Sequence, residues 1–182
     1  MKGPLRKELM KCFEREIQTR FPRFARFDSE RDTRTWPWKA SPDLVFFVTV
    51  QAFVRLDQFV VEVSWAETEE FPWGAIGKVK VDQPQGRERL GRLWERGPDE
   101  PVWDVSPEKS ARQSEYLDAV MQGNTASFPA DPPMAQILPR VLPLVRDAMN
   151  KFEEYGMPLF HRVAEAHGIA MDDRPRKETS IG

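Results

Sequence analysis

The sequence predicts a single-domain α+β protein in which helices cover one face of an antiparallel sheet of about four to six strands. Three observations support that prediction. Residues 4–20 repeat apolar side chains at helical spacing, residues 44–66 hold two runs rich in Val, Phe and Trp, and residues 134–152 form a second apolar helical stripe. Helical and strand periodicities that are separated along the chain are typical of α+β domains.

The first element is a helix over residues 4–20, one face of which is apolar. Pro22 ends the pattern because proline has no backbone N–H and its ring clashes with the preceding turn. Cys12 lies on the apolar stripe, and as the only cysteine of the chain it cannot form an internal disulfide. The stripe recurs at three- and four-residue spacing and consists of Leu5, Leu9, Cys12, Phe13, Ile17 and Phe21.

Between residues 22 and 43 aromatic and charged residues alternate, so we expect a short edge strand and a turn. Pro37 and Pro42 argue against a central strand here, since proline cannot donate a hydrogen bond to a neighbouring strand.

An antiparallel hairpin is expected over residues 44–66, with its loop at Asp57 and Gln58. Because this pair lacks the glycine that a tight primed turn prefers, a four-residue loop with the same parity is an equal alternative. The expected cross-strand pairs are apolar throughout, and a shift of one residue would mix the two faces. These pairs are Leu56 with Phe59, Val54 with Val61, Ala52 with Val63 and Val50 with Trp65.

Glu62 lies on the other face of this hairpin. In the expected register it faces Phe53 and is diagonal to Arg55, on a mixed surface that water reaches in part. A cross-strand ion pair with Arg55 gives Glu62 a structural role. A catalytic role instead requires Glu62 to lie in a cleft with neighbours that shift its proton affinity.

Further strands are expected at residues 75–82, at residues 88–95 and around Trp103 and Val105. A helix is expected over residues 107–122. Ser106 can cap its start, Pro107 suits its first position, and Gly123 suits its end.

The last third is predicted to be helical. Pro139 and Pro143 lie inside the pattern and predict a kink or a restart. Gly156 is expected to end this helix, and a short closing helix is expected from Pro158 to Gly168. The apolar stripe consists of Met134, Ile137, Leu138, Val141, Leu142, Val145, Met149 and Phe152.

The composition is that of a globular protein, with 40% hydrophobic and 31% charged residues. We expect one domain over residues 1–171 and a polar, mobile tail over residues 172–182. A net charge of −2 argues against a general nucleic-acid binder. The first residues are charged and no window holds the ~20 apolar residues of a membrane span, so a cytoplasmic location is expected.

Charge and tryptophan are unevenly distributed, which indicates a surface for a protein partner. Residues 43–75 carry six acids and one arginine. Several tryptophans lie beside prolines or charges at the ends of elements, where half exposure is common, and tryptophan is favoured at interfaces; alternatively they cover the rim of the core. The candidate partner-binding residues are Trp36, Trp38, Glu67, Glu69, Glu70 and Trp73.

Sequence motifs for catalysis or cofactors are incomplete. His161 and His167 are six residues apart, whereas a zinc helix needs its histidines four apart. Glu62 lacks the lysine two residues later that a metal-dependent nuclease core would have, and Ser64 stands there. We therefore expect no cofactor, no metal and no catalytic site, although an acid such as Glu62 and a histidine such as His161 can still be brought together by folding.

Two stretches carry a resemblance. They read "DQFVVEVSWAETEEFPW", followed by "RLGRLWERGPDEPVWDV", and later "EEYGMPLFHRVA". They resemble a recurrent pattern in small bacterial proteins classed as domains of unknown function, some of which are neighbours of toxin or defence genes. Pro101 departs from that pattern, which has a further aromatic residue near this turn.

The sequence thus predicts a non-enzymatic protein-binding domain of a bacterial cytosol. The resemblance implies an immunity-like or accessory protein of a toxin or defence system, whose partner would be a basic toxin or effector. The alternative is an enzyme, hydrolytic in type, that uses Glu62 with His161. A third hypothesis, nucleic-acid binding, depends on the cluster Arg87, Arg89, Arg92 and Arg96.

Overall fold

The computed structural model of the chain describes residues 3–25, 32–53, 57–72, 80–94, 102–112, 115, 118–119, 121–123 and 132–171. They include the helices α1 (Gly3–Arg20), α2 (Pro107–Ala111), α3 (Met134–Lys151) and α4 (Met157–Ala166), with a 3₁₀ turn at Leu90–Leu93 and a π-helical turn at Phe152–Gly156. The strands are β1 (Thr33–Ser41), β2 (Leu44–Phe53), β3 (Gln58–Ala66), β4 (Gln85–Arg89) and β5 (Trp103–Asp104).

The five strands form one antiparallel sheet, in which β1, β2, β3 and β4 follow each other in space. β5 pairs with the start of β3 and β4 with its end, so both lie along the edge of β3 that faces away from β2. Pro37 lies on β1, which is at the end of the described sheet. An edge strand was expected there, since only an edge tolerates the missing N–H of proline.

The predicted hairpin is formed by β2 and β3, but its predicted register is wrong. Val61 pairs with Val50 and Val63 with Val48, so each partner lies four residues earlier in the sequence than expected. Gln58 belongs to the strand rather than to the loop, because β5 extends the sheet beside it. A shift by an even number of residues leaves every side chain on its expected face, so the assignment of the apolar face is correct.

Helices α1, α3 and α4 cover one face of the sheet, which confirms the predicted α+β architecture. Phe13 of α1 meets Phe59 of β3 edge-on, with ring centroids 5.3 Å apart. Phe160 of α4 stacks on Phe46 of β2 at 4.4 Å. Burial of this shared apolar face is the main stabilising contribution to the fold, and its fully buried members include Val48, Val50, Val61, Val63, Trp65, Val141 and Val145.

The N-terminal helix has the predicted extent and the predicted buried face. Cys12 is buried on that face, as the stripe indicates. Burial raises the pKa of the Cys12 thiol above its ordinary value, because the low-dielectric surroundings disfavour the thiolate.

One expectation for the C-terminal helices is wrong and another is answered in part. Of the kink or restart predicted at Pro139 and Pro143, the restart does not occur, because α3 runs through both prolines. Gly156 does not end the helical path, since the π-helical turn carries the chain directly into α4. Gly156 is required inside that turn, where an added Cβ would lie 2.4 Å from the Phe152 ring.

The strand predicted at residues 88–95 is only partly correct. β4 begins earlier, at Gln85, and ends at Arg89, after which the chain turns into the 3₁₀ turn. The expected strand at residues 75–82 falls largely outside the described residues, and its described part is a turn. The predicted tail, residues 172–182, also lies outside them. Among the described helices, none is both long and apolar enough to cross a membrane.

Candidate functional site

The second face of the sheet, opposite the helices, carries a row of buried polar side chains. Side chains alternate along a strand, so this face receives Glu62 and Ser64 of β3 and Thr49 of β2, while their neighbours enter the core. Glu62 and Ser64 have no exposed surface and Thr49 keeps 1%. Thr35 of β1 continues the row through a hydroxyl–hydroxyl hydrogen bond of 3.0 Å to Thr49.

Glu62 is the centre of this row and is held by arginines of β4. Arg87 donates from Nε at 2.9 Å and from Nη2 at 2.6 Å, both to Oε2 of Glu62. Arg89 Nε lies 3.9 Å from the other carboxylate oxygen, Oε1. That distance is beyond hydrogen-bond range, and Oε1 accepts no hydrogen bond from the described residues.

The structure therefore corrects the expected surroundings of Glu62. The residue across from it is Thr49 rather than Phe53, and among the described residues its ion-pair partners are Arg87 and Arg89. The expected partner, Arg55, lies outside the described residues. The expectation of a partly wet surface is wrong at this position, because Glu62 is completely buried. A buried carboxylate paired with guanidinium groups is a structural arrangement, since its charge is compensated without a substrate.

A second buried ion pair lies at the start of β3. Lys109 of α2 approaches Asp57 at 2.5 Å, and the two side chains keep 7% and 1% of their surface. Asp57 has a φ of 52°, a left-handed conformation that residues other than glycine rarely adopt. Gln58 donates a hydrogen bond of 3.0 Å to Ser110 of the same helix. The pair therefore fastens α2 to the sheet.

Glu62 and His161 are not brought together at one face. His161 belongs to α4, which lies on the core face of the sheet through Phe160 and Phe46. Glu62 points from the opposite face, so the strands lie between the two groups. Acid–base partners must come within hydrogen-bond reach of one substrate, and this arrangement counts against the proposed catalytic pair.

The acidic segment, residues 67–70, follows β3 and is exposed over its whole length. Lys39 of β1 donates a hydrogen bond of 2.6 Å to Glu69, and this bond lowers the pKa of the Glu69 carboxyl. His167 Nδ1 lies 3.3 Å from Glu67. Both acids remain accessible, with 75% and 48% of their side-chain surface exposed.

The acidic segment is anchored at its far end by Phe71. The Phe71 ring meets Phe47 of β2 edge-on at 5.5 Å. The guanidinium of Arg87 also lies near this ring, 5.4 Å from its centroid. Arg87 is itself held by Glu62. Through Arg87, the buried row therefore helps to position Phe71, which anchors the acidic segment.

Two of the three tryptophans predicted for the partner surface do not lie on it. Trp36 is fully buried and Trp38 keeps 9% of its surface, so their expected half exposure is wrong. Trp38 is buried because Phe24 and Phe46 enclose it at 5.5 Å each. Trp73 lies outside the described residues.

Three of the four arginines proposed for nucleic acid are engaged with acids. Arg87 and Arg89 face Glu62, and Arg92 lies 3.7 Å from Glu88. Arg96 lies outside the described residues. Across the described part of the chain, no three His, Cys, Asp or Glu side chains lie together in a way that could hold a metal ion.

Two partners in these ion pairs were missed by sequence reasoning. Arg87 stands in a strand whose start was placed too late, and Lys109 lies on a short helix far from Asp57 in sequence. An arginine in a strand adjacent to one with an isolated acid was the available signal for Arg87. Lys109 gave no comparable signal.

Comparison with known proteins gives no relative. No protein-family model, no curated protein and no solved structure matches the chain. The resemblance to small bacterial domains therefore stays a prediction.

Proposed function

We propose that this protein is a non-enzymatic protein-binding domain of the bacterial cytosol whose acidic segment, residues 67–70, contacts a basic partner protein. The observation that supports the proposal is an exposed run of acids on a segment that is fixed at both ends. β3 fixes its start, and Phe71 fixes its end against Phe47. Charges held in place before binding lose less conformational freedom on association.

The distribution of the other charges supports a binding role over a catalytic one. Glu62 and Asp57 are buried in ion pairs with Arg87 and Lys109. A substrate would have to displace those partners before it could reach either carboxylate. A partner can reach the acidic segment without opening the core, because Glu67 and Glu69 keep 48% and 75% of their side-chain surface exposed beside His167 and Lys39.

An immunity-like or accessory protein of a toxin or defence system is the specific form of this proposal. An acidic surface can cover the basic active site of a nuclease-type toxin, and complementary charge accelerates such an association. Attraction of this kind weakens when salt shortens the Debye length from about 10 Å at 0.1 M to about 3 Å at 1 M.

The test is affinity purification of the tagged full chain from its native host. The test variant carries Glu67→Gln, Glu69→Gln and Glu70→Gln. The matched control carries Glu115→Gln, Asp118→Asn and Glu165→Gln, which removes the same charge from three exposed acids elsewhere.

We expect one basic protein to co-purify in stoichiometric amount with the parent chain and with the control variant. We expect it to be lost with the test variant and when the salt concentration is high. Equal recovery with both variants, or no stoichiometric protein under several growth conditions, would contradict the proposal.

A further inference from the structure

The ammonium group of Lys151 lies against two aromatic rings at the C-terminal end of α3. Its Nζ is 5.6 Å from the centroid of the Trp94 ring and 5.3 Å from that of Tyr155. The two rings are 5.6 Å apart and inclined by 36°, so they form an open wedge with the cation at its mouth. Glu154 completes the arrangement with a carboxylate oxygen 3.4 Å from Nζ.

The Trp94 wall of this wedge is supported by the core. Trp94 meets Trp103 edge-on at 5.9 Å, and Trp103 stacks on the buried Phe59 at 5.4 Å. The indole N–H of Trp103 donates a hydrogen bond of 2.8 Å to Asp147 of α3. Trp94 thus rests on a ring whose own position is fixed by a stack and a hydrogen bond.

The Tyr155 wall stands on the π-helical turn, a form of backbone that occurs often at functional sites. The turn admits no side chain at Gly156, where an added Cβ would meet the Phe152 ring. Glu154 accepts a hydrogen bond from the Tyr155 hydroxyl, which raises the pKa of Tyr155 above its ordinary value. The turn therefore presents Tyr155 and Glu154 together beside Lys151.

We propose that Trp94, Tyr155 and Glu154 form a binding site for an alkylammonium group, and that Lys151 is its internal occupant. Aromatic faces attract cations through their quadrupole, and sets of such rings recognise quaternary ammonium groups and methylated lysine. The site is accessible, since the side chains of Lys151 and Glu154 are 30% and 57% exposed. A trimethylated ammonium has no N–H to hydrogen-bond with water, and its methyl groups contact the rings directly.

This site is separate from the acidic segment, so the two proposals fail independently. The shared ligand chemistry is the methylated ammonium, which can come from a trimethyllysine side chain of a protein or from a free quaternary amine. Lys151 competes with either ligand. Its removal is expected to strengthen binding, because an internal occupant lowers the fraction of protein with an open site.

The experiment measures binding of tetramethylammonium to the full chain, followed by the indole N–H signals in NMR titrations. Lys151→Gln removes the competing cation and keeps most of the stem. Lys11→Gln is the matched control, because it removes the same charge from a lysine that is 60% exposed on α1. Trp94→Leu and Tyr155→Leu each remove one wall, and their melting curves report whether the fold is retained.

We expect saturable binding in the parent and the same affinity in Lys11→Gln. In Lys151→Gln we expect roughly fivefold tighter binding, which corresponds to the free energy of one exposed cation–π contact. Binding is expected to disappear in a folded wall variant. Tighter binding of a trimethyllysine peptide than of tetramethylammonium identifies a protein side chain as the source, and equal binding identifies a free amine. Absence of saturable binding in Lys151→Gln, or equal affinities in Lys151→Gln and Lys11→Gln, would overturn the proposal.

Discussion

Arg87 joins β4 to β3 by directing two nitrogen donors at one oxygen of Glu62, at 2.9 and 2.6 Å. The carboxylate is fully buried, whereas the Arg87 side chain keeps 17% of its surface. Since β4 has five residues, this contact makes a large contribution to holding it in register. The same guanidinium supports Phe71, so the pair also connects the sheet to the acidic segment.

Glu62→Gln is therefore expected to destabilise the fold although it preserves shape. It leaves the charge of Arg87 without its buried partner, and breaking a buried ion pair from one side costs about 3–5 kcal/mol. Because Arg87 is partly exposed, we expect the loss of unfolding free energy to lie near the lower end of this range. Urea denaturation measures it.

The control for this prediction is Glu14→Gln, which breaks the 3.0 Å pair with Arg34. Both side chains of that pair are partly exposed, so the expected loss is below about 1 kcal/mol. If the two variants lost equal stability, the buried row would not have the structural role assigned to it.

Val63→Asp tests whether the hairpin is the centre of stability. Val63 is fully buried between Val48 of β2 and Glu88 of β4. An aspartate there would be an unpaired buried charge, with an expected loss above about 4 kcal/mol. Val102→Asp, at a position 39% exposed, should leave the melting temperature nearly unchanged. A Val63→Asp variant that melts within a few degrees of the parent would show that this face is not buried.

The faces of the hairpin could be predicted from sequence, but its pairs could not. Alternation decides which side chains of β3 enter the core, and it assigned Val61 and Val63 correctly. Registers that differ by four residues on β2 keep the same alternation, so the pattern cannot separate them. The contacts that select the observed register involve residues distant in the sequence, such as the pairing of Gln58 with Asp104 and the Asp57–Lys109 ion pair.

The candidate surface was only partly predictable for a similar reason. Three acids within four residues, with no apolar residue between them, indicate an exposed segment, and residues 67–70 are exposed. Tryptophan beside proline has no such preference, because its burial depends on the rings that enclose it. Trp38 is enclosed by Phe24 from a different part of the chain.

Gly86→Ala is expected to destabilise the β3–β4 pairing. A Cβ at Gly86 would lie 2.3 Å from the Trp65 ring, and Trp65 is fixed by burial and by a 3.1 Å hydrogen bond from its indole N–H to the Gln83 carbonyl. Overpacking of this kind costs about 1–3 kcal/mol. Gly3→Ala, where nothing lies within 4 Å of the added Cβ, should be neutral or slightly stabilising. Thermal denaturation of both variants checks the difference, and equal melting temperatures would contradict this packing.

The stability of the fold should depend on pH through Glu88, which lies on the core side of β4. Burial raises the pKa of the Glu88 carboxyl, and the neighbouring Arg92 opposes that shift. Because the folded pKa lies above the unfolded one, the contribution of Glu88 to stability is present at low pH and is lost as the pH rises through the folded pKa. A neutral side chain avoids that loss.

Glu88→Gln is therefore expected to raise the urea midpoint at neutral pH, with a gain that shrinks toward the ordinary carboxyl pKa of about 4.3. Glutamine retains an oxygen that can accept the 3.0 Å hydrogen bond from the Arg89 backbone N–H. Glu69→Gln is the control of opposite sign: Lys39 lowers the pKa of Glu69, so this variant should be slightly less stable at neutral pH and equal to the parent in acid. A Glu88→Gln variant that is less stable than the parent at neutral pH but equal to it in acid would show that the contact with Arg92, 3.7 Å away, outweighs burial.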